Sequence, residues 1–487
     1  MSRKGERRMK KTVAGLLACL LLLCALVPFA SAADPVASGS LFISGYFTCA
    51  MLNYNSATII TYSGEEASVT VPAELNGIRI TSISANAFQA NIELIDLVIS
   101  EGVETLGDYA FQRCPNLTEV SLPASLKDVG LNPFAGCEAL SDITIAEGSP
   151  YLLVSGSVLF SREDRRLIYY PKLLEKGPYE IPDGVRIIGA SAFYECDNVT
   201  ELKIPDTVHA IGKRAFYQCS NLKSIALPAQ ISTIGADAFS GCRQLRSLTF
   251  PENVTSIGER AFQDCANLEE LKLPEKITSI GEMAFRNCAS MTSIHLPEGI
   301  TTIGKNTFTD CKSLEEVVLP EGLTFIGAGA FSECASLRKL ELPESVDYIG
   351  SNAFDGCVAL ESVNIPEKCA NIGSYAFSRC TVLKSMEVPD RIDTINPYTF
   401  QGCVSMTEIT LPEDLEEIGI WAFAGCTSIR SIEIPDPVEI IGDYAFAYCQ
   451  SMESIVLPED LESVGPHTFD QCPNLKDLPD LSDMIEE

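Results

Sequence analysis

Apolar residues recur along this chain with a period of 23 residues. When the sequence is aligned on the phenylalanine of a recurring Ala-Phe pair, sixteen units run from Phe88 to Phe469. Every step between them is 23 residues except the step from Phe134 to Phe193, which contains a 36-residue insertion. A period of this length indicates a solenoid in which each unit is one coil.

One unit combines two shorter periodicities. Ala215, Cys219 and Leu222 are spaced by four and three residues, which predicts one face of a short helical turn. Ile225 and Leu227 are two residues apart, as in a strand with one buried face. Each coil is therefore expected to hold one helical turn and one strand, and stacked coils are expected to share a continuous core.

Glycine and proline also recur at fixed positions. Glycine stands four residues before the phenylalanine in fourteen of the sixteen units, and Ser84 and Asn396 replace it in the other two. Because glycine adopts positive φ easily, we expect a tight turn with positive φ at this position, leading from strand to helix. Proline ends the strand, as at Pro228, where its missing amide hydrogen leaves no donor unpaired.

The repeated pattern Ile-Gly-x-x-Ala-Phe-x-x-Cys-x-x-Leu-x-x-Ile-x-Leu-Pro resembles the BspA-type leucine-rich repeats of bacterial and some protist surface proteins, over roughly Val69 to Leu478. The resemblance implies an α/β leucine-rich-repeat solenoid of about 16 coils. In such a solenoid a parallel β-sheet lies on the concave face and short helical turns lie on the convex face. The resemblance also implies extracellular adhesion or protein recognition, and it supplies no catalytic residues.

The repeat pattern predicts the order of domains. We expect a signal peptide at 1–32, an amino-terminal β-rich cap at 33–80, coils at 81–146, a β-hairpin insertion at 147–181, further coils at 182–475 and a carboxyl-terminal cap or tail at 476–487. The insertion has two apolar stretches on either side of a charged turn, a pattern that is often inserted in arrays of this family. It is expected to lie at the edge of the solenoid.

The first residues are typical of a secretory signal peptide. Six cations precede the apolar run Val13 to Phe29, which ends in Ala30-Ser31-Ala32. A transmembrane anchor is the alternative, but the run is short and polar chain follows it. We expect cleavage after Ala32 and a secreted, extracellular protein that is released or held at the cell surface.

The net negative charge of the chain disfavours some classes of binding partner. Removal of residues 1–32 takes away six cations and one anion, so the formal charge changes from −31 to −36. An acidic surface repels phosphate backbones and anionic headgroups, which argues against nucleic-acid binding and membrane association. No second apolar stretch approaches the ~20 residues of a membrane span. We expect a monomer that is soluble or that binds cationic partners.

Fifteen of the nineteen cysteines stand three residues after a repeat phenylalanine, from Cys114 to Cys472. Disulfides are one interpretation in an exported protein, and the ~4.8 Å spacing of coils does not exclude them. We favour reduced structural thiols, because the count is odd and each cysteine has two equivalent neighbours. Zinc is disfavoured, since the paired short spacings of zinc sites and any CxxC are absent. No metal or cofactor is expected.

Acidic residues follow twelve of the fourteen strand-ending prolines, and stacking would align them in what we call the acidic row. Such a row either binds a cation such as Ca²⁺ or stays solvated, and we favour the solvated row. Its members are Asp183, Asp206, Glu252, Glu275, Glu298, Glu321, Glu344, Glu367, Asp390, Glu413, Asp436 and Glu459.

Catalysis is not expected from the titratable residues. The three histidines, His209, His295 and His467, occupy different phases of the repeat several coils apart, and the sequence has no glycine-rich phosphate loop. A secreted hydrolase would have to use carboxylates alone.

Recognition is expected from residues that vary between coils. The residues eight and ten positions after each phenylalanine flank a buried strand position and point outward. Charge and size change most between Glu270 and Glu341, and no aromatic cluster marks this face. The predicted binding residues are Glu270, Lys272, Ser293, His295, Glu316, Val318, Lys339 and Glu341.

The expected function is therefore non-catalytic extracellular adhesion, in which the strand face binds a host or cell-surface protein. Host matrix proteins are candidate partners. A structural surface or matrix protein without a specific ligand is the alternative, and a secreted hydrolase is a third reading.

Overall fold

The computed structural model describes residues 39–476, which form a solenoid of stacked parallel strands. The predicted signal peptide at 1–32 and the chain beyond residue 476 lie outside the described residues. Paired strands are offset by one repeat, as where Ser224 pairs with Ser247. Within 39–476 no helix is long and apolar enough to cross a bilayer.

The amino-terminal strands begin with an antiparallel meander. It consists of β1 (Leu41–Ser44), β2 (Phe47–Asn53) and β3 (Ser56–Tyr62). β3 then pairs in parallel with β6 (Ile78–Ile83), and β5 (Glu74–Leu75) forms an antiparallel pair with β6. The meander thus leads directly into the first parallel pair of the stack.

Most coils contain two short strands rather than the single strand that the sequence predicted. The first strand holds the apolar residues before the proline, and these strands form what we call the long-strand column. They are β4 (Ser68–Val71), β7 (Asp96–Ile99), β9 (Glu119–Leu122), β11 (Asp142–Ile145), β15 (Gly177–Glu180), β17 (Val199–Lys203), β19 (Ser224–Ala226), β21 (Ser247–Thr249), β24 (Ser293–His295), β26 (Glu316–Val318), β28 (Lys339–Glu341), β30 (Ser362–Asn364), β31 (Ser385–Glu387), β33 (Glu408–Thr410), β35 (Ser431–Glu433) and β37 (Ser454–Val456).

The second strand directly precedes the repeat glycine and is two residues long in most coils, and at Ile372 it is reduced to an isolated bridge. A strand this short shows no alternation of apolar and polar residues in the sequence. These strands form the short-strand column, which β6 begins. The others are β8 (Thr105–Leu106), β10 (Asp128–Val129), β16 (Ile187–Ile188), β18 (Ala210–Ile211), β20 (Thr233–Ile234), β22 (Ser256–Ile257), β23 (Ser279–Ile280), β25 (Thr302–Ile303), β27 (Phe325–Ile326), β29 (Tyr348–Ile349), β32 (Thr394–Ile395), β34 (Glu417–Ile418), β36 (Ile440–Ile441) and β38 (Ser463–Val464).

The predicted helical turns are wrong for residues 39–476, which contain no helix. Around the repeat phenylalanine the amides alternate between two kinds of bond. The Ala215 amide donates to the Gly212 carbonyl in its own coil at 3.2 Å, and the Phe216 amide donates to the next coil at 2.8 Å. Arg214 and Gln218 have φ of 58° and 59°, which interrupts any right-handed helix. We call this side of the solenoid the turn column.

The predicted positive φ at the repeat glycines is also wrong, since all fourteen have φ outside that region. The glycine instead allows two coils to approach closely. A Cβ at Gly281 would lie 2.4 Å from the amide nitrogen of Glu259 in the preceding coil, and most repeat glycines show a similar overlap. At Asn396, which replaces the glycine, the side-chain amide donates to the Ile372 carbonyl at 2.8 Å.

The repeat phenylalanines form a continuous stack inside the solenoid. Fifteen of the sixteen are buried, and Phe469 in the last coil is partly buried. Neighbouring ring centroids lie between 4.7 Å, for Phe88 and Phe111, and 6.0 Å, for Phe446 and Phe469. These distances fall within the range in which offset aromatic pairs attract each other.

Residues 147–181 lie between coils of the stack rather than at its edge. β12 (Leu152–Ser155), β13 (Val158–Ser161) and β14 (Arg166–Tyr169) pair in antiparallel order. β14 then pairs in parallel with β16, so the insertion has three antiparallel strands and continues the short-strand column. This placement depends on pairing with distant strands, which a local pattern does not reveal.

The insertion divides the core into two clusters and bridges the aromatic stack. Leu159 and Tyr169 pack into the amino-terminal cluster, whereas Phe160 and Tyr170 pack into the carboxyl-terminal one. The Tyr169 ring contacts Phe134 at 5.8 Å, and the Tyr170 ring stacks on the next repeat phenylalanine at 4.7 Å. Two adjacent tyrosines thus fill the gap in the phenylalanine stack.

The recurring cysteines bond adjacent coils. The Cys265 thiol donates to the Phe239 carbonyl at 3.2 Å, and the same bond recurs from Cys114 to Cys472, with a tyrosine carbonyl as the acceptor for Cys196. The seventeen cysteines within the described residues are free thiols. Burial raises the pKa of most of them, as for Cys311, where it reaches about 12.

Replacement of Gly281 by alanine should destabilise the protein by about 1–3 kcal/mol, because the added Cβ overlaps the backbone of the preceding coil. Urea unfolding followed by circular dichroism measures the loss. The matched control is Gly177→Ala, since a Cβ there meets nothing within 4 Å. Equal stabilities of the two variants would show that close coil contact is not the reason for the glycine.

Cys472 should be the first thiol to react in the native protein. It is partly exposed, and the hydrogen bond with Cys449 lowers the pKa of Cys472, whereas most other thiols are buried with raised pKa values. The thiolate is the nucleophile. The rate at which iodoacetamide labels Cys472 should therefore rise at lower pH values than those at which an ordinary thiol ionises.

Peptide mass spectrometry identifies the labelled residue, and Cys472→Ser should remove the fast phase. In denaturant all seventeen described cysteines should label without a reductant. If only about two cysteines label in denaturant, the others are paired as disulfides.

Candidate binding surface

The eight predicted binding residues share one face of the long-strand column, and all are exposed. Their neighbours Ile294, Val317 and Leu340 are buried, as strand alternation requires. Six of the eight lie in strands β24, β26 and β28. Glu270 forms an isolated bridge with Ser247, and Lys272 follows it outside a strand.

The column brings the predicted residues into register between coils. Ser293 pairs with Glu316, and His295 pairs with Val318. In β28 the ammonium of Lys339 forms an ion pair with the carboxylate of Glu341. This contact lowers the pKa of Glu341, although a pair so exposed adds little to stability.

A groove with a volume of about 1170 Å³ runs along this column from Glu315 to Pro389. Four of the predicted residues line it, namely Glu316, Val318, Lys339 and Glu341. The other four, Glu270, Lys272, Ser293 and His295, are not among its lining residues. The groove therefore overlaps the carboxyl-terminal half of the predicted binding region and extends beyond it.

The groove is strongly acidic. Its two cations are Arg338 and Lys339. Its seven carboxylates are Glu315, Glu316, Glu321, Glu341, Glu344, Glu367 and Glu387. A recess lined mainly by one sign of charge concentrates ligands of the opposite sign and accelerates their association. The lining favours a basic ligand.

Three of those carboxylates belong to the acidic row. Glu321, Glu344 and Glu367 follow the strand-ending prolines and line the groove. The repeat pattern does not show that the acidic row and the strand face meet, because the distance between them depends on how the chain turns after the proline. Within residues 39–476 no group of three His, Cys, Asp or Glu side chains could hold a metal ion.

An asparagine side chain joins two neighbouring coils in the lining of the groove. The side-chain amide of Asn364 donates to the Leu342 carbonyl at 2.9 Å, and its oxygen accepts from the Leu342 amide at 2.9 Å. Asn364 thereby ties two adjacent coils together. Val318, which is 39% exposed, adds an apolar patch to the lining.

The three histidines stay apart in the fold. His295 is on the long-strand column, His209 is an exposed residue several coils earlier, and His467 is in the last coil. Nδ1 of His467 lies 3.2 Å from a carboxylate oxygen of Asp443.

Sequence reasoning missed an aromatic cluster on the turn column. Tyr375, Tyr398, Trp421 and Tyr444 are each two residues before a repeat phenylalanine, and their rings stack in succession. The signal was available, since aromatic residues at 23-residue spacing are visible in the sequence. The predicted binding residues came from the strand face alone, which has no aromatic cluster.

The chain matches the family model described as the BspA type leucine rich repeat region at residues 73–162, 169–291, 278–406 and 371–485. Among solved structures, it is similar to a leucine-rich repeat protein from Bacteroides ovatus, with 25% sequence identity, a TM-score of 0.40 and coverage of 92% of this chain and 94% of that one. It is also similar to a leucine rich cell surface protein from Faecalibacterium prausnitzii, with 23% identity, a TM-score of 0.34 and coverage of 90% and 94%. No curated protein matches the chain.

The family matches extend over most of the chain and agree with the coil positions in the structure. The resemblance inferred from the repeated pattern is therefore confirmed, and the chain belongs to the BspA-type leucine-rich repeat family.

Proposed function

We propose that this protein is an extracellular adhesion or recognition protein, and that the acidic groove binds a basic segment of a host or cell-surface protein. A BspA-type solenoid is a protein-interaction scaffold, and the family is typically non-catalytic. The observation that carries the proposal is the groove lining of seven carboxylates and two cations. A basic ligand gains from this field, whereas nucleic acids and anionic lipids are repelled.

The proposed location rests on the amino-terminal sequence. Six cations, an apolar run and Ala30-Ser31-Ala32 support export with cleavage, and the mature chain then acts as a monomer outside the cell. Host matrix proteins that display clusters of lysine and arginine are the first partners to test. The competing proposal is a structural surface or matrix protein without a specific ligand.

Charge reversal in the groove should weaken binding. The double variant Glu344→Lys and Glu367→Lys changes the lining to five carboxylates and four cations. We expect the affinity for an immobilised lysine- and arginine-rich peptide, and for matrix proteins that bind the wild type, to fall by about tenfold or more at physiological salt, which corresponds to about 1.4 kcal/mol. Biolayer interferometry measures the affinity.

The matched control is the double variant Glu252→Lys and Glu275→Lys. Both residues are exposed members of the acidic row, and the change in net charge is the same, but neither lines the groove. This variant should bind within about twofold of the wild type. Equal weakening of both variants would mean that net charge rather than the groove attracts the ligand. If the wild type binds neither the peptide, nor matrix proteins, nor the producer's own envelope, the structural alternative holds.

A further inference from the structure

A stack of aromatic side chains runs along the turn column in the last coils, away from the acidic groove. We call its members, Tyr375, Tyr398, Trp421, Tyr444 and His467, the aromatic ladder. Ring centroids of successive members are 4.3, 6.2, 4.5 and 4.7 Å apart. Each ring comes from the position two residues before a repeat phenylalanine.

The fold does not require aromatic residues at this position. Earlier coils hold Asp237, Arg260, Met283, Asn306 and Asn352 there, with φ between 54° and 59°. The three tyrosines and the tryptophan of the ladder have φ between 57° and 63°. The backbone bond is also the same, since the Trp421 amide donates to the next coil at 3.0 Å as the Arg260 amide does at 2.9 Å. Aromatic residues at this position therefore change the surface of the turn column without changing the backbone conformation of the coil.

The ladder presents ring edges to solvent. Its successive rings are nearly parallel, with interplanar angles between 4° and 17°, and at three of the four steps the centroids are 4.7 Å or less apart, so neighbouring rings cover most of each other's faces. The side chains of Tyr375, Tyr398, Trp421 and Tyr444 remain partly exposed. A ligand therefore meets ring edges, which carry partial positive charge, together with the donors of tyrosine and tryptophan. A sugar would need the open faces that stacking removes.

The centre of the ladder is uncharged in a protein of net charge −31. The turn segments 396–404 and 419–427 contain no Asp, Glu, Lys or Arg. Ile420, which is 46% exposed, and Tyr448, which is 44% exposed, widen the apolar surface. Carboxylates flank the carboxyl-terminal end, where Asp443 and Asp470 lie near Tyr444. Desolvation raises the pKa of Tyr444, and the charges of these two carboxylates raise it further.

We propose that the aromatic ladder binds an extended, proline-rich segment of a protein, with a basic residue of that segment at the end marked by Asp443 and Asp470. A polyproline II helix has no internal hydrogen bonds, so its carbonyls can accept from tyrosine hydroxyls and from the tryptophan Nε1–H. Its turn of three residues advances ~9.3 Å. Two coil spacings amount to ~9.6 Å, so every third residue of the ligand meets alternate rings.

Trp421 makes the test direct, because it is the single tryptophan of the chain and stands in the middle of the ladder. The probe is a synthetic peptide of ten prolines with one terminal arginine. Titration into the full-length mature protein should change the Trp421 emission to saturation. The same peptide without arginine should bind more weakly, and added salt should reduce this difference.

Asparagine variants test the ladder without changing the backbone, since Asn306 and Asn352 adopt the same φ at this phase. The double variant Tyr398→Asn and Tyr444→Asn should weaken peptide binding by about tenfold or more. Tyr109→Asn is the control, because Tyr109 has the same phase and a φ of 55° in a distant coil. It should bind the peptide as the wild type does. Circular dichroism and melting temperature confirm that each variant folds.

Four results would overturn the proposal. The first is the absence of a saturable response to the proline peptide, and the second is an equal response to a glycine-serine peptide with the same arginine. The third is a response to cello- or chito-hexaose instead of the proline peptide. The fourth is a concentration-dependent doubling of mass that changes the Trp421 emission without any ligand. The groove variant Glu344→Lys and Glu367→Lys should keep the full response. This result separates the ladder from the function proposed for the groove.

Discussion

The close approach of successive backbones is the constraint on which the rest of the structure depends. At Gly281 the preceding coil leaves no room for a Cβ. At this separation the amide of Phe216 reaches the next coil, the thiol of Cys265 reaches the preceding one, and the phenylalanine rings remain in contact. A wider spacing would weaken all three interactions together. This explains why glycine, phenylalanine and cysteine recur at a common period, although only the phenylalanine is a large apolar residue.

The sequence predicted the solenoid and its period, but not the path of the backbone within a coil. The spacing of Ala215, Cys219 and Leu222 shows which side chains face the core, and a helix is only one backbone that has this spacing. The structure uses left-handed φ at Arg214 and Gln218 instead. Neither residue is a glycine, so the residue types did not indicate a left-handed backbone at these positions. The φ values follow from hydrogen bonds to the neighbouring coil, which are absent from any single unit.

For the candidate sites too, the sequence predicted which residues are exposed, but not how they are arranged in space. Strand alternation was enough to predict that Glu316 and Lys339 are exposed on one face. The groove also takes carboxylates from the acidic row, such as Glu344, and that meeting depends on the turn after the proline. The aromatic ladder was readable from spacing alone. Its stacked geometry, which closes the ring faces and leaves the edges open, required the structure.

The turn column can vary without disturbing the fold, because its backbone bonds do not involve the side chains at the ladder position. The amide two residues before the phenylalanine binds the next coil whether the residue is arginine, as at Arg260, or tryptophan, as at Trp421. The long-strand column has similar freedom at its outward residues, since the buried residues between them hold the strand. The core separates the two columns, so a substitution on one shares no contact with the other, and effects on stability should add. A solenoid of this kind can therefore carry two unrelated binding surfaces on one scaffold.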